Sequence, residues 1–298
     1  MINYHFNPLD SPRRSLSNDH IKVEYLSQAG PRIVGLYLSG DARNILASTP
    51  DITWHTPFGD YYLIGGHRLW IAPENPDLTA VPDHQGLVYQ EHPGDVTLSN
   101  PAPPIGIRRT IEVSLQKDRP FVNLIHILGN ESDHTFNIAA WAITQLPLGG
   151  IAILPQSSSK VDVQGLQPNR NLVVWPYSNW NDERIAINND HIIVKGLPIL
   201  PPCKIGFANR VGWMGYLHEG IFFCKRFAPR LEESLPDMFC NVEIYCNDLF
   251  LELETLSPLI SLQPGEIITH LETWEIYRTD DMQKWPPDLA EVIQAITL

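Results

Sequence analysis

The 298-residue chain has no apolar run approaching the roughly 18 residues that a membrane-spanning helix needs, so no membrane partner is expected. It has no basic surplus: 21 Lys and Arg face 34 Asp and Glu, a formal charge of −13. Without Lys/Arg clusters to neutralise phosphates, nucleic acid is not an expected partner either. Cysteine is scarce. Cys203, Cys224, Cys240 and Cys246 form no C-x-x-C pair, which excludes a disulfide scaffold and gives no zinc or thioredoxin motif. They read as reduced thiols packed as small hydrophobes. The first twenty residues carry Asp10, Arg13, Arg14 and Asp19 and no apolar segment, so no secretory leader is expected and the cytoplasm is the expected compartment.

What is present is ample apolar material, 43% of residues against 18% charged, enough for a folded core. The 19 Gly and 26 Pro are spread along the chain, with no linker, charge block or solenoid repeat. One domain over 1–298 is expected, with 280–298 as a helical extension. Most of the chain reads as short strands rich in Val, Ile, Phe and Tyr and bounded by Asn, Asp, Gly and Pro. They are expected at 21–26, 33–38, 107–115, 121–128, 136–143, 151–154, 192–194, 211–217, 220–227, 239–246, 250–256 and 267–276. Such spacing predicts an all-β sandwich of antiparallel strands. One helix is predicted. Asp288-Leu-Ala-Glu follows Pro286-Pro287 as a capping box, and Leu289, Val292, Ile293 and Ile296 share one face.

Three segments could carry chemistry. Thr53–Glu74 reads TWHTPFGDYYLIGGHRLWIAPE, crowding His55, Asp60, Tyr61, Tyr62, His67, Arg68, Trp70 and Glu74 around Gly65-Gly66. Aromatic faces stack on sugar C–H faces, while Arg, His and Glu bond hydroxyls; a long structural loop is the alternative. The spacing of His67 and Glu74 matches no helical ligand face and Pro73 breaks regularity, so no metal is expected. Trp175–Arg184, WPYSNWNDER, would wall a sugar pocket or cap one end of the sandwich. In 241–255, NVEIYCNDLFLELET, strand alternation turns Leu251 and Leu253 toward the core and Glu252 and Glu254 the other way. Two carboxylates on one face form either a solvated edge or a pair in which one acts as a base.

The carboxy-terminal stretch LELETLSPLISLQPGEIITHLETWEIY resembles the last strands of the galactose mutarotase (aldose 1-epimerase) superfamily, with its Leu-Glu-Thr and its turn Leu262-Gln263-Pro264-Gly265-Glu266. AGPRIVGLYLSG (29–40) is similar to the family's opening hairpin, and GGHRLWIAPE to the Gly-Gly stretch of its hexose-6-phosphate branch. Pro82-Asp83-His84-Gln85-Gly86 stands where the family has a His-Gly motif. GGHRLWIAPE and FLELETLSPL together look like an uncharacterised branch. The resemblance spans most of the chain in order and implies a galactose mutarotase-like β-supersandwich with a sugar cleft. It implies Glu254 as catalytic base and His84 as a sugar-binding histidine. Two positions depart from the pattern. Trp141 stands where the family's acid histidine belongs, and an indole N–H is only a hydrogen-bond donor. Ile64 stands where the phosphate-specific branch has Arg, with Arg68 beyond the glycines.

Mutarotation needs a base for the C1 hydroxyl proton and an acid for the ring oxygen, each typically contributing about 10²–10⁴-fold. Glu254 would be the base and His67 or His84 the acid. Arg68, Glu74, Asp182 and Lys225 would bind hydroxyls, and Trp70, Trp141 or Trp175 would supply the stacking face. The expectation is therefore a carbohydrate-binding protein of the aldose 1-epimerase type, interconverting anomers of a hexose or hexose phosphate without a cofactor. The alternatives are a non-catalytic sugar sensor on the same scaffold and a polysaccharide lyase relative using Tyr61-Tyr62 and His67-Arg68. Oligomeric state is left open.

Overall fold

The computed structural model describes residues 11–101 and 104–297; residues 1–10, which bear on the expected lack of a leader, and the Ile296 side chain lie outside them. Two ten-stranded sheets face one another, and every pairing among the described strands is antiparallel. The first sheet runs Arg13–Ser17, Ile21–Leu26, Arg32–Leu38, His67–Ala72, Phe136–Leu146, Leu251–Leu256, Val242–Cys246, Cys203–Phe207, Val173–Val174, with Ile260–Leu262 also paired to Phe136–Leu146. The second runs Ile185–Ile187, His191–Lys195, Ile151–Pro155, Trp213–His218, Ile221–Phe227, Ile267–Arg278, Phe121–Asn130, Ile107–Leu115, Asp95–Asn100, Val88–His92.

Period-two alternation builds the core between them. Leu69, Ile71, Ala140, Leu251, Leu253, Ile244 and Ile205 of the first sheet meet Ile111, Leu124, Phe223, Trp274 and Ile276 of the second. The helix Pro287–Thr297 packs outside this sandwich, as its apolar stripe predicts. Leu289 and Ile293 bury against Trp213 and Phe222 on the outer face of the second sheet and against Trp285, which follows the turn Thr279–Lys284. No helix among the described residues is long and apolar enough to cross a membrane. All four cysteines are free and buried.

The expected strands match the observed ones within a few residues. The strand expected from Phe239 begins at Val242, because Asp237, Met238 and Phe239 take left-handed φ values of 48°, 58° and 76° in a tight turn. The larger difference lies in Thr53–Glu74, which is no loop. It is most of a two-stranded hairpin, Ser48–Thr56 with Gly59–Gly65, followed at once by the sheet strand His67–Ala72. Gly65 and Gly66 make that passage possible. Both have positive φ, and a Cβ on Gly66 would lie 2.0 Å from the Ile33 carbonyl oxygen. The glycines therefore let backbone pass backbone rather than approach a ligand.

Candidate functional site

The outward face of the first sheet carries an unusual load of charge. Cross-strand register places Arg68, Ile143, Glu254 and Glu243 in one row over four adjacent strands. The neighbouring row reads Gln145, Glu252, Tyr245, Lys204. Diagonal neighbours on adjacent strands are within reach of long side chains, as Lys204 and Glu243 are, while the pairs Arg68–Glu252 and Lys204–Glu254 reach across one intervening strand. Arg68 Nη2 donates to Glu252 Oε1 at 2.8 Å. Lys204 Nζ lies 2.9 Å from Glu254 Oε2 and 2.7 Å from Glu243 Oε2. Trp141 Nε1 donates to the same Glu254 Oε2 at 2.8 Å.

Over these groups lies a cavity of about 470 Å³, lined by Arg68, Trp70, Glu74, Trp141, Lys204, Glu252 and Glu254, with Trp54, Tyr177, Tyr245 and Phe250 among its aromatic walls. A larger hollow of about 690 Å³ lies elsewhere, between the turn at Asp19-His20 and Trp285-Pro286. The wall of the smaller cavity is a chain of rings. Trp54 packs 5.8 Å from Trp70, and Trp70 lies edge-on to Trp141 at 5.5 Å. Cations sit on these faces, Arg68 over Trp70 at 4.2 Å and Lys204 over Trp141 at 4.3 Å. Trp70 is fixed from behind: its Nε1 donates to the Tyr61 hydroxyl at 2.8 Å, and buried Arg32, itself paired with Asp83 at 3.0 Å, donates to that same hydroxyl.

Polar atoms here are left unmatched. Glu254 Oε1 and Arg68 Nε and Nη1 are buried and accept or donate no hydrogen bond within the protein. Burial without a partner costs roughly 1–3 kcal/mol per group, more for charges. Burial and the Glu254 charge push the Glu252 carboxyl above its usual range, against the pull of Arg68. Burial likewise pushes Glu243 well up, while Glu243 and Glu254 together hold Lys204 as an ammonium.

Of the residues singled out by sequence, the structure brings Glu254, Arg68, Trp70, Glu74 and Trp141 to this cavity. Trp175 stands just behind, half-buried, with the Lys204 ammonium 4.7 Å from its ring. Four do not reach it. His67 alternates to the other side of its strand and is fully buried between the sheets, 2.7 Å from His126. His84 is edge-on to Tyr62 at 5.2 Å and does not line the cavity. Asp182 is clamped to Arg184, which in turn donates to the Ile199, Pro201 and Cys246 carbonyls. Lys225 belongs to the second sheet and binds Glu272 at 2.9 Å from within the core. Sequence reasoning missed Lys204, Glu243 and Tyr245. A lone Lys in the apolar strand CKIGF, and alternation through NVEIYC, were the signals that could have found them.

Among the described residues, a metal could be sought at His67, His126 and Glu272, whose donor atoms lie within 4.8 Å of one another. Their partners do not fit one. Both Glu272 oxygens are engaged, by Lys225 and by Trp274 Nε1 at 2.9 Å. The imidazoles satisfy each other as neutral rings. His126 Nδ1 must donate to the His270 carbonyl oxygen, so its Nε2 accepts from His67 Nε2, whose Nδ1 accepts from Thr144.

No family model and no curated protein matches the sequence. Solved structures do match the fold. A galactose mutarotase-like protein from Lactobacillus casei is similar with a TM-score of 0.60 at 9% identity, over 89% of this chain and all of that one. A galactose mutarotase related enzyme from Lactobacillus acidophilus gives 0.54 at 11% identity, over 91% and 99%. This chain has the galactose mutarotase-like fold. The same fold is seen within a TPR-domain containing protein from Parabacteroides distasonis, with a TM-score of 0.63 at 15% identity, where it spans about half of that chain. Identities this low carry the galactose mutarotase-like architecture and nothing finer.

Proposed function

We propose that the cavity on the first sheet binds an unphosphorylated aldose and interconverts its anomers, as an aldose 1-epimerase does. The observation that carries this reading is the Glu254 carboxylate. One oxygen is fixed by Trp141 and Lys204, and the other is buried, unpaired and available to a ligand hydroxyl at the floor of an aromatic-walled cavity. That is how a base for the C1 hydroxyl would be held. Trp54, Trp70 and Trp141 offer ring faces or edges for the sugar's C–H surface, and the two unpaired Arg68 donors offer bonds to its hydroxyls. An unphosphorylated sugar is favoured because Lys204 is already held between Glu243 and Glu254 and exposed Glu74 adds a further negative charge to the lining.

A second reading, sugar binding without turnover, draws on one observation: among the described lining residues there is no histidine to act as acid. Two-dimensional NMR exchange between anomeric protons, run on free and phosphorylated aldoses with catalytic amounts of protein, separates the two. Accelerated exchange for a free aldose supports the first reading. Quenching of tryptophan fluorescence by a sugar whose exchange stays at the buffer rate supports the second.

A further inference from the structure

An acid other than histidine has to protonate the ring oxygen if the anomers are to interconvert, and the cavity narrows the choice. Tyr245 has its hydroxyl pushed up to about 12 by burial, and Tyr177 is pushed up as well. Both release a proton too reluctantly to match neutral operation. Lys204 is held as an ammonium by two carboxylates. Trp141 and Arg68 donate hydrogen bonds without releasing protons. Glu243 lies behind Lys204 and does not line the cavity, and Glu74 is solvent-exposed.

Glu252 remains. It stands two residues before Glu254 on the strand Leu251–Leu256, so both side chains project from the same face. Their Cα atoms are about 6.6 Å apart along the strand, a spacing that lets two carboxyl groups address the C1 hydroxyl and the ring oxygen of one pyranose. Arg68 holds Glu252 Oε1 from the side and fixes the carboxyl plane. The environments of the pair differ: Glu254 accepts from an indole and an ammonium, whereas Glu252 accepts from Arg68 alone among the hydrogen bonds of the described residues.

We propose that Glu252 is the proton donor of this site, passing its carboxyl proton to the sugar ring oxygen as Glu254 takes the proton of the C1 hydroxyl. The C1–O5 bond breaks as these transfers occur, leaving an open-chain aldehyde, a neutral Glu254 and an ionised Glu252. Rotation about C1–C2 presents the other carbonyl face. O5 then attacks C1, its proton returns to Glu252, and Glu254 gives its proton back to the carbonyl oxygen. No proton or electron is left over. Burial and the neighbouring Glu254 charge raise the Glu252 carboxyl above its usual range, against the pull of Arg68, as environments that push paired carboxyls apart do. The assignment rests on the reading of the cavity as an anomer-interconverting site.

The test compares wild type with Glu252→Gln and Glu252→Asp by anomeric exchange across a pH series, with sugar affinity followed in parallel by tryptophan fluorescence. Gln keeps an acceptor for Arg68 but no acidic proton. Exchange by Glu252→Gln should fall by about 10²–10⁴-fold with affinity retained. The alkaline fall in the wild-type rate, which reports loss of the acid's proton, should vanish with it. Glu252→Asp should recover part of the rate, which guards against a folding defect in the Gln variant. If wild type accelerates exchange and Glu252→Gln matches it with the same alkaline limb, the acid assignment is overturned while the site reading stands. If wild type binds sugars without accelerating exchange, both fall together.

Discussion

Strands 67–72, 136–146 and 251–256 carry buried polar side chains on both faces, and the two faces differ in how far those groups are satisfied. On the inner face His67, Thr144 and Thr255 join His126, His270, Lys225 and Glu272 of the second sheet. Lys225 donates to the Ala142 and Leu253 carbonyls at 3.1 Å and pairs with Glu272, and Thr255 bridges His270 and Glu272. Among the described residues, no fully buried side-chain polar atom of these groups lacks a partner. On the outer face, one residue along each strand, Arg68, Gln145 and Glu254 all have buried polar atoms without partners. A buried network that closes on itself stiffens a core. One that stays open is held at a cost, and a ligand is the natural partner for its free atoms. The inner cluster therefore ties the sheets together, and the outer one is left open, as the proposed site requires.

The sharpest way to break this contrast is to remove one charge from each face. Lys225→Ala would leave Glu272 buried and unpaired, and losing one partner of a buried ion pair costs about 3–5 kcal/mol. Urea unfolding should show that loss; a midpoint within error of wild type would mean that Glu272 finds another counter-charge. Glu254→Gln should do the reverse. It keeps acceptors for Trp141 and Lys204, so stability should change little, while anomeric exchange drops by about 10²–10⁴-fold. Unchanged turnover in Glu254→Gln would remove Glu254 as the base.

A smaller effect separates the faces by pH. Burial holds His67, His126 and His270 below their usual range, His270 down to about 3 from 6.5. The unfolded chain therefore takes up protons below about pH 6.5 that the native core refuses. The stability these neutral rings contribute is complete above pH 6.5 and is lost as pH falls from there toward about 3. Urea midpoints should decline across that window, and less steeply in His270→Gln, which keeps a donor for Thr255. An equal slope in the variant would place the acid sensitivity elsewhere.

The same contrast shows what could be read from residues alone. Alternation in FLELETL placed Glu252 and Glu254 together on the face away from Leu251 and Leu253, and that is where they are. His67 and Arg68 are adjacent in sequence and were grouped for that reason, yet adjacent strand residues point to opposite faces. Without strand boundaries inside 53–74 that alternation is not visible, and His67 falls with Arg68 in one cluster. Lys204 comes from a strand far along the chain and Glu243 from the strand just before Glu254, and only cross-strand register brings them to Glu254. Lys225 could not be assigned to either face without knowing which sheet it belongs to.

The finest cut concerns Trp141 and His84. Trp141→Phe keeps a ring against Trp70 but removes the indole donor to Glu254 Oε2. A hydrogen bond to a charged group contributes about 1.5–3 kcal/mol, so exchange should fall by roughly 10–100-fold, while Lys204 keeps the carboxylate near its position. His84→Ala, by contrast, removes a half-buried ring that packs on Tyr62 outside the cavity. Substitutions away from such sites usually stay within about 0.5 kcal/mol, so its exchange rate should match wild type within about twofold. If His84→Ala instead lost as much rate as Trp141→Phe, the histidine would reach the sugar by a movement of its loop, and the acid would be there rather than on the strand that carries Glu254.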